Sequence, residues 1–204
     1  MTKKADPIDY LRTIDPTLAK VIVKVPRPEW HAYSDYFQAL VESIISQQLS
    51  TKAGDTIVRR FIKLFGVGKF PTPRQVLHID AEKVRGAGLS YAKIRYIKDL
   101  AQHVEDKKLH LHKINNMQDE EIIEHLIQVK GIGRWTAEMF LMFALRREDV
   151  FSYGDLGLRN AMQKLYKLRN HPTPKQAEKI SNKWKPYRTW ACRYLWKSLE
   201  IKEI

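Results

Sequence analysis

The chain contains a single cysteine, Cys192, among its 204 residues. One thiol forms no disulfide within the chain and cannot supply a four-cysteine zinc site or a four-cysteine iron–sulfur cluster. Because Cys192 stands between Trp190 and Tyr194, we expect it to be a small packed residue rather than a nucleophile. The seven histidines are scattered along the chain. We therefore predict no catalytic metal site.

Long apolar runs are also missing from the sequence. None approaches the roughly 20 residues that a membrane-spanning helix needs, and no N-terminal stretch resembles a signal peptide. We therefore expect no membrane association. The predicted location is cytoplasmic and nucleoid-associated in a bacterium or archaeon, and nuclear in a eukaryote.

Acidic residues are scarce relative to basic ones. The 36 lysines and arginines outnumber 23 aspartates and glutamates, which leaves a net charge of +13. Such an excess predicts an anionic partner, and nucleic acid is favoured over an acidic membrane surface. A soluble protein that is merely basic is the alternative.

No segment alternates apolar and polar residues as a half-buried strand does, so we predict an all-α fold. Apolar residues recur at helical spacing between Pro, Ser, Asp and Gly residues that begin or end helices. The predicted helices cover approximately residues 16–24, 34–47, 51–64, 90–104, 134–145, 156–168, 175–184 and 186–199, with further helices opening at Pro73, Asp80 and Asp119.

The most informative segment is Val129-Lys130-Gly131-Ile132-Gly133-Arg134-Trp135-Thr136-Ala137. Its two glycines allow a tight turn between two helices, and such a turn can present backbone N–H groups to a phosphate. Lys130 and Arg134 add positive charge. We predict that the turn, including Ile132, contacts DNA, whereas the alternative is an ordinary corner between two helices.

A solitary carboxylate, Asp155, follows the second helix of this motif. A phosphate-binding turn one helix away from a carboxylate indicates an enzyme that acts on a nucleic-acid sugar or base. The alternative is that Asp155 is the N-cap of a helix beginning at Leu156. Both roles are compatible, because the positive end of a helix favours an ionised carboxylate.

Several segments together resemble a known family. Residues 129–137 and Asp149-Val150-Phe151-Ser152-Tyr153-Gly154-Asp155 resemble the helix–hairpin–helix base-excision DNA glycosylases. Residues 40–50 and Trp184-Lys185-Pro186-Tyr187-Arg188 are similar to the alkylation-repair branch, the 3-methyladenine DNA glycosylases II. The resemblance spans roughly residues 36–199. Larger bacterial members carry an additional N-terminal β-rich domain, and this chain resembles the compact all-α form.

The resemblance implies two helical subdomains with the active-site cleft between them. Residues 1–35 would pack with the C-terminal subdomain, 147–204, which carries the catalytic aspartate. Residues 36–146 would form the other subdomain and contain the helix–hairpin–helix at 119–146. The implied partner is double-stranded DNA containing alkylated bases, and we expect a monomer. No cofactor is implied, although relatives can hold a monovalent cation at the hairpin.

The resemblance also implies a reaction. Asp155 would stabilise the positive charge that develops on the sugar while the base departs. An alkylated purine is already cationic, so a second carboxylate acting as general acid is not needed. Trp135 stands where strand-cutting relatives have a lysine that forms a Schiff base, which implies hydrolysis without strand cleavage. Packing in the core is the alternative role of Trp135.

The remaining implied site residues concern the base and the duplex. Trp135, Met139 and Tyr187 would line the base pocket, where aromatic rings attract a flipped cationic base. Gln48 and Ser50 would face DNA, and Tyr91 or Leu89 would be the wedge that fills the gap left by the flipped base. A helix staple is the alternative for the wedge residue, and we expect Trp190, Tyr194 and Trp196 to lie in the core.

Two other functions stay open at the level of sequence. In the first, the protein is a non-catalytic helix–hairpin–helix DNA-binding protein and Asp155 is only a helix cap. In the second, it is a glycosylase for oxidised bases. Substitution of Asp155 and the identity of the released base distinguish these possibilities.

Overall fold

The computed structural model describes residues 5–30, 33–66 and 68–201. Over these ranges the chain forms twelve α-helices, two short 3-10 helices and no strand, which confirms the all-α prediction. The chain divides into two compact units, residues 1–31 with 141–204 (the terminal unit) and residues 32–140 (the central unit). The predicted boundaries between the two units, at residues 36 and 147, each lie a few residues later than the observed boundaries at residues 32 and 141.

The bounds of the helices follow the local signals closely. The 3-10 helices are Ile114–Asn116 and Asn182–Trp184, and the α-helices are α1 (Pro7–Ile14), α2 (Pro16–Ile22), α3 (Tyr36–Ser46), α4 (Thr51–Lys63), α5 (Pro73–His78), α6 (Ala81–Gly86), α7 (Tyr91–Glu105), α8 (Asp119–Leu126), α9 (Arg134–Phe143), α10 (Leu156–Leu165), α11 (Pro174–Ser181) and α12 (Arg188–Ser198). No described helix has the length and apolar character that crossing a membrane requires.

Helix α1 is absent from the sequence prediction, which begins its first helix at Pro16. The structure explains α1 by local chemistry, because the Asp6 carboxylate accepts the Ile8 N–H at 2.8 Å and Pro7 occupies the first helical position. The same pattern, Asp15 followed by Pro16, begins α2. Asp6 followed by Pro7 therefore predicts the start of α1 from the sequence alone.

The central unit is built around α7, which packs against α3, α5 and α6. Its helical spacing places Ile94, Ile97 and Leu100 in the core. Ser90 caps α7 by accepting the Lys93 N–H, as predicted. Hydrophobic burial therefore holds α7 in the centre of this unit, and the Ser90 cap determines where the helix begins.

The terminal unit is built around α12, which packs against α1, α2 and α10. A buried carboxylate, Asp15, accepts hydrogen bonds from the Tyr166 hydroxyl at 2.6 Å and the Trp184 indole at 2.9 Å, so its charge is matched by donors inside the core. Cys192 is fully buried, and this burial raises the pKa of its thiol. The prediction of a packed, unreactive cysteine is confirmed.

Candidate nucleic-acid interface and active site

The turn between α8 and α9 requires glycine at one position for two reasons. Gly131 has a backbone φ of +83°, in the left-handed region that favours glycine. A Cβ atom at Gly131 would also lie only 2.2 Å from Cδ2 of Tyr96. At Gly133, by contrast, a Cβ would meet no atom within 4 Å. The first glycine therefore serves the packing of the turn.

The backbone of this turn has N–H groups available for a ligand. The Ile132 N–H donates to the Val129 carbonyl at 3.1 Å, and the Lys130 N–H donates to Asp99 Oδ2 at 2.9 Å. Within the described ranges, the N–H groups of Gly131, Gly133 and Arg134 have no acceptor. They lie at the positive end of α9, so together they suit a phosphate oxygen.

The two basic side chains of the turn are held by neighbouring carboxylates. The Arg134 guanidinium donates to both Glu120 oxygens, at 2.6 and 2.8 Å, and to Glu138 at 3.1 Å. The hydrogen bond from Arg134 lowers the pKa of Glu120. Lys130 Nζ lies 3.6 Å from Asp99. These ion pairs offset much of the charge that the sequence places at the turn, so backbone donors dominate it.

The loop after α3 presents an exposed amide in an unusual conformation. Gln48 has φ +59°, and its side chain is exposed, as is Leu49. Ser50 is the N-cap of α4, and its hydroxyl accepts the Ala53 N–H at 3.4 Å. DNA contacts by Gln48 and Ser50 stay predictions.

The wedge prediction needs a correction at Leu89. This side chain is only 1% exposed and belongs to the core of the central unit, so it cannot enter a duplex. Tyr91, at the first position of α7, is 50% exposed. Its hydroxyl donates to Glu82 at 3.1 Å, and the Arg85 guanidinium lies over its ring. Because the chain turns at Ser90, the residue before it points inward and Tyr91 points outward.

Asp155 occupies the N-terminus of α10, and its N-cap role is confirmed. One oxygen, Oδ1, accepts the Leu158 N–H at 2.7 Å and the Trp196 indole N–H at 2.9 Å. The residue is only 9% exposed. Two donors on one oxygen fix the orientation of the carboxylate, a requirement for electrostatic stabilisation of a transition state.

Trp196 reaches Asp155 through a gap provided by glycine. A Cβ atom at Gly157 would lie 3.1 Å from both Asp155 Oδ1 and Cδ1 of Trp196. Phe143, itself 36% exposed, lies against the indole with ring centroids 5.8 Å apart. Trp190 and Tyr194 are buried as predicted, but Trp196 is half-buried and bound to Asp155. The core assignment of Trp196 is wrong, and sequence reasoning missed Gly157 and Phe143.

The predicted base-pocket residues have different surroundings. Trp135, in the first turn of α9, is 45% exposed, so the alternative of core packing is wrong for it. Met139 is half-buried one turn further along. Tyr187 is only 3% exposed; its hydroxyl donates to the Ala5 carbonyl at 3.0 Å and its ring lies edge-on to Tyr10. This burial leaves little ring surface for a base, so a pocket wall at Tyr187 is not supported.

The chemistry of the hairpin is compatible with a monovalent cation but does not require one. The carbonyl oxygens of Val129 and Gly131 each accept one hydrogen bond, and a carbonyl oxygen has a second lone pair. Among the described residues, no group of three His, Cys, Asp or Glu side chains is placed to hold a metal ion. The cation at the hairpin stays a prediction.

A glycine turn with open backbone donors and a capped, oriented carboxylate define a helical protein of the helix–hairpin–helix class. Residues 41–186 match the model of the HhH-GPD superfamily of base excision DNA repair proteins. Since this match covers most of the 204 residues, the chain belongs to that superfamily. The family predicted from the motifs is therefore confirmed.

Relatives place the chain more narrowly within the superfamily. It is 38% identical over 168 residues to DNA-3-methyladenine glycosylase 1 of Schizosaccharomyces pombe. The aligned region covers 82% of this chain and 74% of that protein. The structure of S. pombe 3-methyladenine DNA glycosylase Mag1 with abasic DNA is similar, with a TM-score of 0.86, 34% identity and coverage of 98% and 99%. A Bacillus halodurans DNA-3-methyladenine glycosidase structure has a TM-score of 0.82, 36% identity and coverage of 97% and 90%.

Proposed function

We propose that this protein is a monofunctional DNA glycosylase of base excision repair. It flips an alkylated purine of the 3-methyladenine or 7-methylguanine type out of double-stranded DNA and hydrolyses its N-glycosidic bond, leaving an abasic site. The observation that carries the proposal is Asp155, a carboxylate oriented by the Leu158 N–H and the Trp196 indole. Similarity to proteins named 3-methyladenine glycosylases supports the choice of substrate.

The proposed chemistry needs one oriented carboxylate. As the base leaves, positive charge develops on the sugar, and Asp155 stabilises this charge and orients the attacking water. An alkylated purine departs as a neutral base because it carries a positive charge beforehand. No second carboxylate is needed to protonate it, in contrast to the hydrolysis of ordinary glycosides.

The proposed binding steps use residues of the central unit. The open N–H groups at residues 131–134 bind a phosphate oxygen of the DNA backbone without regard to sequence. The exposed ring of Trp135 offers an electron-rich face to a cationic base. Tyr91, exposed at the start of α7, fills the gap left in the duplex. We also infer a monomer, which sedimentation can test.

The first prediction concerns the carboxylate itself. Asp155→Asn retains an acceptor for the Leu158 N–H and removes the charge. We expect release of methylated bases, measured by chromatography under single-turnover conditions, to fall by about 10²–10³-fold, the usual effect of removing one transition-state stabilising group. Duplex binding should be retained, because the change leaves the hairpin intact.

The matched control is Asp6→Asn, which makes the same exchange at the N-cap of α1. It should release base at the wild-type rate. Unchanged release by Asp155→Asn would show that Asp155 is only a helix cap. No release by the wild-type protein would favour a non-catalytic DNA-binding protein, and release of oxidised but not alkylated bases would favour the other glycosylase class.

The second prediction concerns the product. A strand-cutting glycosylase forms a Schiff base through an amine, and Trp135 has none. DNA treated with the wild-type protein should therefore run as full-length strands on a denaturing gel and break only after exposure to alkali. Strand breaks before alkali, or a protein–DNA adduct trapped by borohydride, would contradict hydrolysis alone.

A further inference from the structure

Three segments proposed to contact DNA all belong to the central unit. They are the loop at residues 47–50, of which residues 48–50 are exposed, the turn at residues 88–91 that carries Tyr91, and the hairpin turn at residues 130–134. Helix α7 touches each of them. Lys93, Tyr96 and Asp99 recur along α7 at intervals of three residues, a spacing that places side chains on one helix face.

Lys93 holds the end of α3. Its ammonium nitrogen donates to the Ile45 carbonyl at 2.7 Å and to the Gln47 carbonyl at 2.8 Å. Burial lowers the pKa of this lysine, and it forms no ion pair with a described carboxylate. Its hydrogen bonds are therefore directed at backbone, where a cation suits the carbonyl end of a helix.

Gln47 continues this connection into the hairpin turn. Its side-chain amide donates to the Gly131 carbonyl at 2.9 Å, while its own carbonyl accepts from Lys93. A chain of hydrogen bonds thus runs from the first turns of α7, through the loop after α3, to the glycine of the hairpin. Gln47 joins two segments that are far apart in sequence.

The same face of α7 supports the hairpin turn directly. The Tyr96 ring lies against Gly131 so closely that no side chain could replace the glycine hydrogen. Asp99 accepts the Lys130 backbone N–H at 2.9 Å. These contacts orient the turn so that the N–H groups of Gly131, Gly133 and Arg134 stay unoccupied.

We propose that Lys93 and Gln47 are positioning residues that hold the 47–50 loop and the hairpin turn in their DNA-binding arrangement before DNA arrives. The proposal rests on the DNA glycosylase function proposed above. Preorganisation of this kind strengthens binding because less backbone freedom is lost when the complex forms. Neither residue needs to touch DNA.

The test measures the affinity of Lys93→Met and Gln47→Ala for a fluorescent duplex containing a stable tetrahydrofuran abasic analogue, by anisotropy at several salt concentrations. We expect affinity to fall about tenfold in each variant, an effect of the size of one hydrogen bond. The slope of log Kd against log salt should not change for Lys93→Met. A lysine that bound a phosphate directly would lower this slope by about one.

The matched control is Lys98→Met, on the same helix. Lys98 Nζ also donates to a backbone carbonyl, that of Ile79 at 2.9 Å, which belongs to none of the three segments. The Lys98→Met variant should bind DNA as the wild type does. Thermal unfolding of every variant identifies any that fails to fold. If Lys93→Met does not fold, the Gln47→Ala variant, which changes no charge, still tests the proposal.

The outcomes separate the two proposals. Wild-type affinity in both variants, a reduced salt slope in Lys93→Met, or an equal loss in Lys98→Met would overturn the positioning role. If the wild type releases alkylated bases while both folded variants bind normally, this inference alone is wrong. If the wild type binds the duplex but releases no base, the proposed reaction fails, and the affinity comparison still decides the positioning role.

Discussion

At the residue scale, Asp155 illustrates how a carboxylate becomes oriented for one task. Its Oδ1 atom receives the helix-capping N–H of Leu158 and the indole N–H of Trp196, and Gly157 leaves room for both. The cap is local, within three residues, whereas the indole comes from 41 residues away. Only the first of these partners could be predicted from the neighbouring sequence.

Trp196→Phe tests the second partner. It keeps an aromatic ring against Phe143 and removes the donor to Asp155. We expect base release at saturating DNA to fall about tenfold, which corresponds to about 1.4 kcal/mol of transition-state stabilisation, while Kd for the duplex changes little. Single-turnover rates on methylated DNA measure the effect.

Trp190→Phe is the matched control for this change. Trp190 lies on the same helix and is buried, and its indole donates to Glu148 rather than to Asp155. It should lose stability yet retain the wild-type rate of release. Equal rates in Trp196→Phe and the wild type would show that the indole does not orient the carboxylate.

At the scale of elements, the hairpin combines a conformational requirement with a packing requirement. Gly131 needs a left-handed backbone and contact with Tyr96, whereas Gly133 has open space around it. The start of α7 was predictable because Ser90 is a typical N-cap, and α9 was predicted within two residues of its observed end. The predicted helix starts at Ser34 and Asp119 are each one residue away from the observed N-caps, Asp35 and Gln118.

Gly131→Ala and Gly133→Ala separate these requirements. An alanine at residue 131 adopts the left-handed region at a cost of about 1–2 kcal/mol and also collides with Tyr96. We therefore expect urea unfolding to show a loss of at least this size in Gly131→Ala. Gly133→Ala should unfold like the wild type, and its added methyl group should weaken duplex binding by obstructing a phosphate. Equal stability of the two variants would contradict this account.

At the scale of the whole molecule, the net charge of +13 favours DNA, yet the described structure uses part of it internally. Arg134, for example, is bound by Glu120 and Glu138. Net charge therefore predicted an anionic partner, whereas we propose that backbone groups of the hairpin supply the phosphate contact. Titratable groups inside each unit also couple its stability to pH.

Tyr33 gives a pH dependence with a defined direction. Burial, together with the charge of Glu42, raises the pKa of this tyrosine to about 12 from its ordinary value of 10.0. The folded protein thus holds the phenol proton more tightly than the unfolded chain does. The resulting stabilisation is fully present below pH 10 and is lost as pH rises from about 10 to about 12.

Urea unfolding of Tyr33→Phe at increasing pH tests this coupling. Below pH 10, losing the hydrogen bond to Glu42 should cost about 1 kcal/mol. Between pH 10 and pH 12, the free energy of unfolding of the variant should fall less steeply than that of the wild type. The two curves of unfolding free energy against pH therefore converge. Glu42→Gln, which leaves the burial in place, should remove only part of the steepness. Parallel curves for Tyr33→Phe and the wild type would contradict the raised pKa.

The sequence by itself determined the all-α class, most helix boundaries, the hairpin turn and the family, because caps, helical periodicity and turn glycines act over a few residues. It also indicated Asp155, through its motif, as the candidate catalytic carboxylate. Only the tertiary structure decided that Leu89 is buried while Tyr91 is exposed, that Tyr187 packs against Tyr10, and that Trp196 binds Asp155. These outcomes depend on which distant side chains pack together, and such contacts leave no local pattern in the chain.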